Sequence, residues 1–248
     1  MKPPVLMRLQ AALLSWAGIR TIRDHYVWTS GLSSHSVVLD LGANVGEFSK
    51  LVTRDFGCRC VAVEPEAANF SKISGDRIVK LQVAAGSNDG VASLFKFSNE
   101  ECHSLFLENY SRAERQGSEI VNVLSFRSIL ASSGASTVDL MKLDIEGGEW
   151  SFLASLTDME IQDIRQITVE FHDFIPELRR QSRTAETRSR LGNLGFICIE
   201  DIYVGSYNTL FLNTRKVPFI VKMLAKSVVL IGNIRNWKNG LRTTHTNI

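Results

Sequence analysis

From Ser36 onward the chain alternates short aliphatic and β-branched runs with stretches of helical length, and this alternation restricts the fold more than any other feature. The runs are SVVLDLG (36–42), CRCVAVEP (58–65), IVKLQVAAG (78–86), TVDLMKLDIEG (137–147), ITVEFHDF (167–174), FICIEDIYV (196–204) and TLFLN (209–213). Segments of about 10–20 residues between most of them suit the crossover helices that parallel neighbours need. GSYN at 205–208 is too short for a crossover, so the last two runs must pair antiparallel. The expected architecture is α/β, with five parallel strands, a C-terminal antiparallel pair and helices on both faces of the sheet. Within 87–116 an additional strand is expected at VASLFKF (91–97), then a loop and a helix.

Two flanks frame this domain, which is expected over 36–213. Residues 1–35 are read as a helical segment. LQAALLSWAGI (9–19) follows Lys2 and Arg8 as the apolar core of a signal peptide would, but Gln10 and Ser15 interrupt it and no small-residue cleavage site precedes Arg20. An amphipathic helix is the better reading. VPFIVKMLAKSVVLIGNI (217–234) would span a bilayer only with Lys222 and Lys226 inside it, at about 2.5–3.5 kcal/mol each near the centre. The segment 214–248 is therefore expected to hold an amphipathic helix with those lysines one turn apart on one face. After Asp201 there is no acidic residue, whereas Arg215, Lys216, Lys222, Lys226, Arg235, Lys238 and Arg242 form a basic block. Such a tail suits an anionic membrane surface, a homodimer contact or a cover for the sheet.

Composition narrows the function classes. With 44% apolar and 22% charged residues the chain is neither disordered nor collagen-like, and a net charge of +2 lacks the basic excess of a dedicated nucleic-acid binder. Cys58, Cys60, Cys102 and Cys198 show neither CxxC spacing nor nearby histidines at zinc-ligand intervals. They are read as buried thiols in a reducing compartment, which places the protein in the cytoplasm, at most peripheral to the inner face of a membrane.

In such sheets ligands lie beyond the carboxyl ends of the strands. The first run ends in Asp40-Leu-Gly-Ala-Asn-Val-Gly46, where glycines at 42 and 46 allow a tight turn and close backbone approach. Asn44 and Glu47 stand where a dinucleotide fingerprint needs glycine, so no pyrophosphate cradle is spelled out and a hydride-transferring dehydrogenase is disfavoured. Asp40 suits a ligand with a cationic centre. Glu64, at the end of the second run, is placed to accept hydrogen bonds from ribose hydroxyls.

DLGANVG, VEPEAANF, VAAGSNDG and above all DLMKLDIEGGE resemble the FkbM-type family of S-adenosylmethionine-dependent methyltransferases, over residues 37–213. The first two motifs are shared by class I methyltransferases at large; K-x-D-x-E-G-x-E is more specific. The resemblance implies a seven-stranded Rossmann-like class I methyltransferase fold, S-adenosylmethionine as co-substrate, and methylation of a hydroxyl on a sugar, glycolipid or other small molecule. It also implies that Asp40, Gly42, Ala43, Asn44 and Gly46 surround the amino-acid part of the cofactor, that Glu64, followed by Pro65, holds the ribose, and that Ala84 and Ala85 lie by the adenine. ECHSLF (101–106) departs from the family, carrying His103-Ser104 where adjacent serines are common.

Strand alternation projects Lys142, Asp144 and Glu146 to one side and Met141, Leu143 and Ile145 to the other. The next run repeats the device with Glu170 and His172. Lys142 is expected to pair with Glu170, His172 to act as general base, Asp144 to orient the acceptor or the base, and Glu146 to support them. Capping of the following helix is the plainer role for the two acids. Asp144, Glu146 and His172 are acceptable ligands for a divalent metal, but nothing in their spacing demands one. The Arg-rich stretch 177–196 is read first as a solvated face, the alternative being a border of the acceptor pocket that favours an anionic substrate such as a phosphorylated or uronic sugar. A nucleic-acid methyltransferase is disfavoured because LDIE stands where an Asn/Asp-Pro-Pro-aromatic tetrapeptide or a Pro-Cys nucleophile would; action on protein and a non-catalytic S-adenosylmethionine-binding module are the remaining alternatives.

Overall fold

The computed structural model describes residues 5–97, 104–105, 115–172, 181–201 and 205–238. Its centre is a seven-stranded sheet built from β3 (Val37–Leu41), β4 (Arg59–Val63), β5 (Ile78–Leu81), β9 (Leu140–Leu143), β10 (Gln166–Glu170), β11 (Phe196–Asp201) and β12 (Gly205–Asn213). In space they run β11-β12-β10-β9-β3-β4-β5. The first five in sequence are mutually parallel, and β12 pairs antiparallel with both β10 and β11. The expected α/β architecture is therefore present. The central strands are buried on both faces, which is why they read as near-continuous aliphatic runs.

Side-chain parity splits the core into two layers. Leu39, Leu41, Met141, Leu143, Ile167 and Val169 face one side. There they pack against α4 (Phe126–Ser133), α5 (Glu149–Ser155), α6 (Asp158–Asp163) and α7 (Gln181–Asn193) through residues such as Ile129, Phe152, Ile161 and Leu191. Val38, Cys60 and Leu140 face the other side, under α2 (Glu47–Phe56). The far end of that side, Leu210, Leu212 and Ile199, is covered by α1 (Val5–Trp16) and α8 (Phe219–Lys238). Adjacent β3 and β9 thus send their following helices to opposite faces. That divergence opens a crevice at their carboxyl ends.

Four differences from the sequence reading matter for the site. The segment 1–35 holds not only α1 but a hairpin of β1 (Ile19–Ile22) and β2 (His25–Trp28), which lies on β10 and β12. The third run splits into β5 and the short β6 (Ala84–Ala85). β6 joins β7 (Gly90–Phe97) and β8 (Arg115–Leu124) in a separate three-stranded sheet, so the expected extra strand is present; the loop and helix expected after it fall largely outside the described residues. Burial of Val121 and Val123 against exposed Ile120 and Asn122 gives β8 the period of two. GSYN belongs to β12, and the connection to β11 lies at 202–204, outside the described residues, as do His103 and the tail from 239.

Candidate active site

The turn after β3 sets the geometry. Gly42 has φ 78°, and a Cβ there would sit 1.7 Å from the carbonyl oxygen of Asp144, so only glycine lets the turns after β3 and β9 touch. Beneath this contact Lys142, 5% exposed, donates to the Gly42 carbonyl at 2.7 Å and lies 3.4 Å from Asp40 Oδ1 and 3.2 Å from Asp144 Oδ2. Asp40 is fully buried and also accepts from Ser49 Oγ at 2.6 Å. Burial would favour a neutral lysine, yet the charges of Asp144 and Asp40 outweigh it and raise the Lys142 pKa. Burial likewise opposes the Asp144 carboxylate, but the Lys142 charge holds it well below the usual range. The expected Lys142–Glu170 pair is corrected: register sets Lys142 beside Asp40 on β3 and Thr168 on β10, so Glu170 lies level with Asp144 instead.

The crevice is lined by Gly42, Asn44, Val63, Glu64, Pro65, Asn69, and across from them Ala84, Ala85, Asp144, Ile145 and Glu146, with Leu94 and Leu105 closing one side. Six of the nine residues expected around the cofactor thus line the crevice. Asp40, Ala43 and Gly46 are buried behind it. Glu64 is 6% exposed; its Oε2 accepts from the Asn44 amide at 2.8 Å and its Oε1 from the Glu66 amide at 2.9 Å. Each oxygen keeps a second lone pair for a hydroxyl donor. Burial pushes Glu64 up to about 7, partly offset by those two amides. Ser104, from the family-divergent loop, donates to the Glu146 carbonyl at 2.7 Å, which ties that loop to the crevice.

β9 ends at Leu143, and Glu146 takes a left-handed φ of 55°, so strand alternation does not carry through to it. Glu146 still reaches His172 Nε2 at 3.2 Å, while His172 Nδ1 lies 3.0 Å from Glu149 Oε1. The acid that holds the turn is neither Asp144 nor Glu146. It is fully buried Glu149, which accepts from the amides of Ile145 at 3.0 Å and Gly147 at 3.1 Å. Burial disfavours a charged His172, but the Glu149 charge and hydrogen bonds to Glu146 and Glu149 raise its pKa well above the ordinary value. A ring whose two nitrogens both face acids is favoured as imidazolium, which argues against the base role expected for His172.

Two groups missed or misread in the sequence stand beside Asp144. His25, on the hairpin, is buried with Nδ1 3.3 Å from Thr168 Oγ1 and Nε2 3.9 Å from Asp144 Oδ2, and burial lowers its pKa, leaving it neutral near pH 7. Glu170, at the end of β10, is raised by burial and by the Asp144 charge to about 7. Ligand atoms of His25, Asp144 and Glu170, and of Asp144, Glu146 and His172, fall within 4.8 Å of one another, so either trio could hold a cation. Lys142 already supplies positive charge to the shared Asp144. The Arg-rich helix is largely spoken for by the fold: Arg188 pairs with Glu200 at 2.8 Å and Arg190 with Asp158 at 2.7 Å.

Among the described residues no helix is long and apolar enough to cross a membrane. The curated AMB antimetabolite synthetase AmbE of Pseudomonas aeruginosa is 24% identical over 210 residues, covering 66% of this chain, and the chain spans 9% of that protein's length. Among solved structures, a methyltransferase FkbM from Methylobacillus flagellatus is 14% identical, with 73% of this chain and 44% of that chain covered at a TM-score of 0.48. An RNA methyltransferase from Salinibacter ruber in complex with S-adenosyl-L-homocysteine is 11% identical, with 88% and 97% covered at a TM-score of 0.35. The methyltransferase FkbM domain itself matches residues 40–198, well over half of the sequence and every residue that lines the crevice, so the chain belongs to the FkbM methyltransferase family.

Proposed function

We propose that the protein transfers a methyl group from S-adenosylmethionine to a hydroxyl of a sugar, glycolipid or other small molecule by direct displacement. The observation that carries this reading is the convergence of Asp144, Glu146 and Glu170 at the strand ends beside a crevice walled by Gly42 and Glu64, within a family-matched domain. The residues fit the cofactor: Glu64 offers hydroxyl acceptors, Asn44 and Asn69 offer polar contacts, and Ala84, Ala85 and Ile145 offer small apolar surface. When bound, the cofactor supplies a methyl group already activated on a cationic sulfur. What the protein adds is alignment and removal of the acceptor's proton. Asp144, kept ionised by Lys142, orients the acceptor hydroxyl, and Glu170, titrating near neutrality, receives its proton. His172 holds Glu146 and Glu149 in place.

Calorimetry with S-adenosylmethionine and its demethylated product, followed by methyl transfer from labelled donor to a glycan and glycolipid pool, tests the proposal. No heat with either ligand would end it. Because ribose binding needs the Glu64 carboxylate, donor affinity should rise with pH through about 7 and be about tenfold weaker at pH 6 than at pH 8. The sign follows from linkage: with both acids raised from 4.5 to about 7, the free protein holds protons that the unfolded chain has shed. Its stability therefore falls as pH climbs through that window, and donor binding releases protons. Titrations in buffers of different ionisation enthalpy read that release directly.

Metal dependence is tested separately. Since Lys142 neutralises Asp144 from within the protein, turnover should be unchanged by EDTA to within about twofold, well short of the contribution a catalytic Lewis acid makes. Strong stimulation by magnesium or manganese would instead assign one of the two carboxylate–histidine trios to a cation.

A further inference from the structure

Helices α1 and α8 come from two segments of the sequence that hold no acids. No aspartate or glutamate precedes Asp24 or follows Asp201, while Lys2, Arg8 and Arg20 on one side match the basic block on the other; Arg23 pairs with Glu47 at 2.9 Å. α1 and α8 lie side by side on one face of the sheet, joined by Gln10 Nε2 donating to the Val228 carbonyl at 3.0 Å. Their inner residues, Leu13, Leu14, Val221, Ala225 and Val228, bury against β11 and β12. Their outer faces carry apolar stripes instead of the polar face expected of a surface helix.

On α8, Phe219, Met223, Lys226, Leu230 and Ile234 recur every three or four residues and are exposed, Phe219 by 76%. On α1 the exposed residues are Val5, Arg8, Leu9, Ser15 and Trp16, the last by 71%. Beside α8 a largely apolar cavity of about 440 Å³ opens between it, α7 and β11, lined by Ile197, Cys198, Met223 and Leu230, with Lys222, Lys226 and the Arg188–Glu200 ion pair also on its wall. Aliphatic surface and aromatic rings mixed with lysine and arginine are what an interfacial helix presents to headgroups and upper acyl chains.

We propose that the α1–α8 face docks on an anionic lipid bilayer, the stripes entering the interface and the lysines and arginines meeting acidic headgroups. A second copy of the chain is a poor occupant, because it would set one acid-free basic helix pair against another. The cavity adds room for an acyl chain, which a protein partner would not need. This docking goes beyond the methyl-transfer reading and does not depend on it, since its readout is partition rather than activity.

The test is cosedimentation of the full chain with vesicles of phosphatidylcholine alone or with one-third phosphatidylglycerol, at low and high salt. Binding should require phosphatidylglycerol and weaken at least about tenfold at 0.5 M salt. The double change Lys222→Gln/Lys226→Gln should weaken it about 30-fold, and Phe219→Glu/Leu230→Glu should remove it, with circular dichroism confirming that both variants fold. If the glutamate variant does not fold, the lysine variant alone decides. Equal binding to neutral vesicles, no binding to either kind, binding to heparin but not to vesicles, or a salt-stable dimer that Phe219→Glu/Leu230→Glu dissolves would each overturn the proposal.

Discussion

Replacing Lys142 with methionine is expected to cost about 3–5 kcal/mol of folding stability, a large share of what holds a domain of this size. Methionine keeps most of the stem volume and removes the charge. Fully buried Asp40 then keeps only its Ser49 bond, since its Oδ1 has no hydrogen-bond donor and faces Lys142 alone. The double change Lys142→Met/Asp40→Asn removes both ions and should recover more than half of the loss, because the cost of breaking a buried pair lies in the charge left behind. Urea unfolding of the two variants decides it. A single-variant loss below about 1 kcal/mol would mean that water reaches Asp40 and the bridge is not buried as described. The pH dependence has a definite sign. Lys142 is raised, so its contribution is present throughout the neutral range and lost only as pH climbs through its folded value; Asp144 is lowered, so its contribution is lost only as pH falls well below the usual carboxylate range.

That bridge also marks where reading the sequence stops. The alternation of Lys142 and Asp144 with Met141 and Leu143 placed the charges on one face and the apolar side chains in the opposite layer, because strand parity is a local property. Which neighbour meets Lys142 is a matter of register. β9 has a strand on each side, and only the observed pairing puts Asp40 and Thr168, not Glu170, opposite the lysine. Gly42 and Glu64 were legible because a glycine turn and an acid at successive strand ends are both local signals. His25 was not. Its aromatic and β-branched HYVW run has strand propensity, but nothing local says that this hairpin lies on β10 and brings an imidazole to a carboxylate 119 positions away in sequence, at 3.9 Å. The surroundings of His172 were likewise hidden. A histidine beside one acid is a candidate base; this one sits between Glu146 and Glu149, which favours its charged form, and the second acid arrives from the start of α5.

Conversion of Asp144 to asparagine and of Glu170 to glutamine should each lower turnover by about 10²–10⁴-fold while changing donor affinity by less than tenfold. The two variants fail for different reasons. Asparagine preserves the shape of Asp144 but donates where the carboxylate accepted, so the acceptor hydroxyl loses its orientation and Lys142 loses one of its two anions. Glutamine at 170 keeps the volume and cannot take a proton. The wild-type turnover profile should therefore carry a limb near pH 7, rising with pH as Glu170 ionises, and Glu170→Gln should flatten it at a low level. His172→Ala separates this assignment from its rival. As an anchor for Glu146 and Glu149, His172 should cost turnover less than Glu170 does and leave the limb in place. A loss from His172→Ala that exceeds the loss from Glu170→Gln, together with disappearance of the limb, would return the proton to the histidine and make Glu170 part of the scaffold.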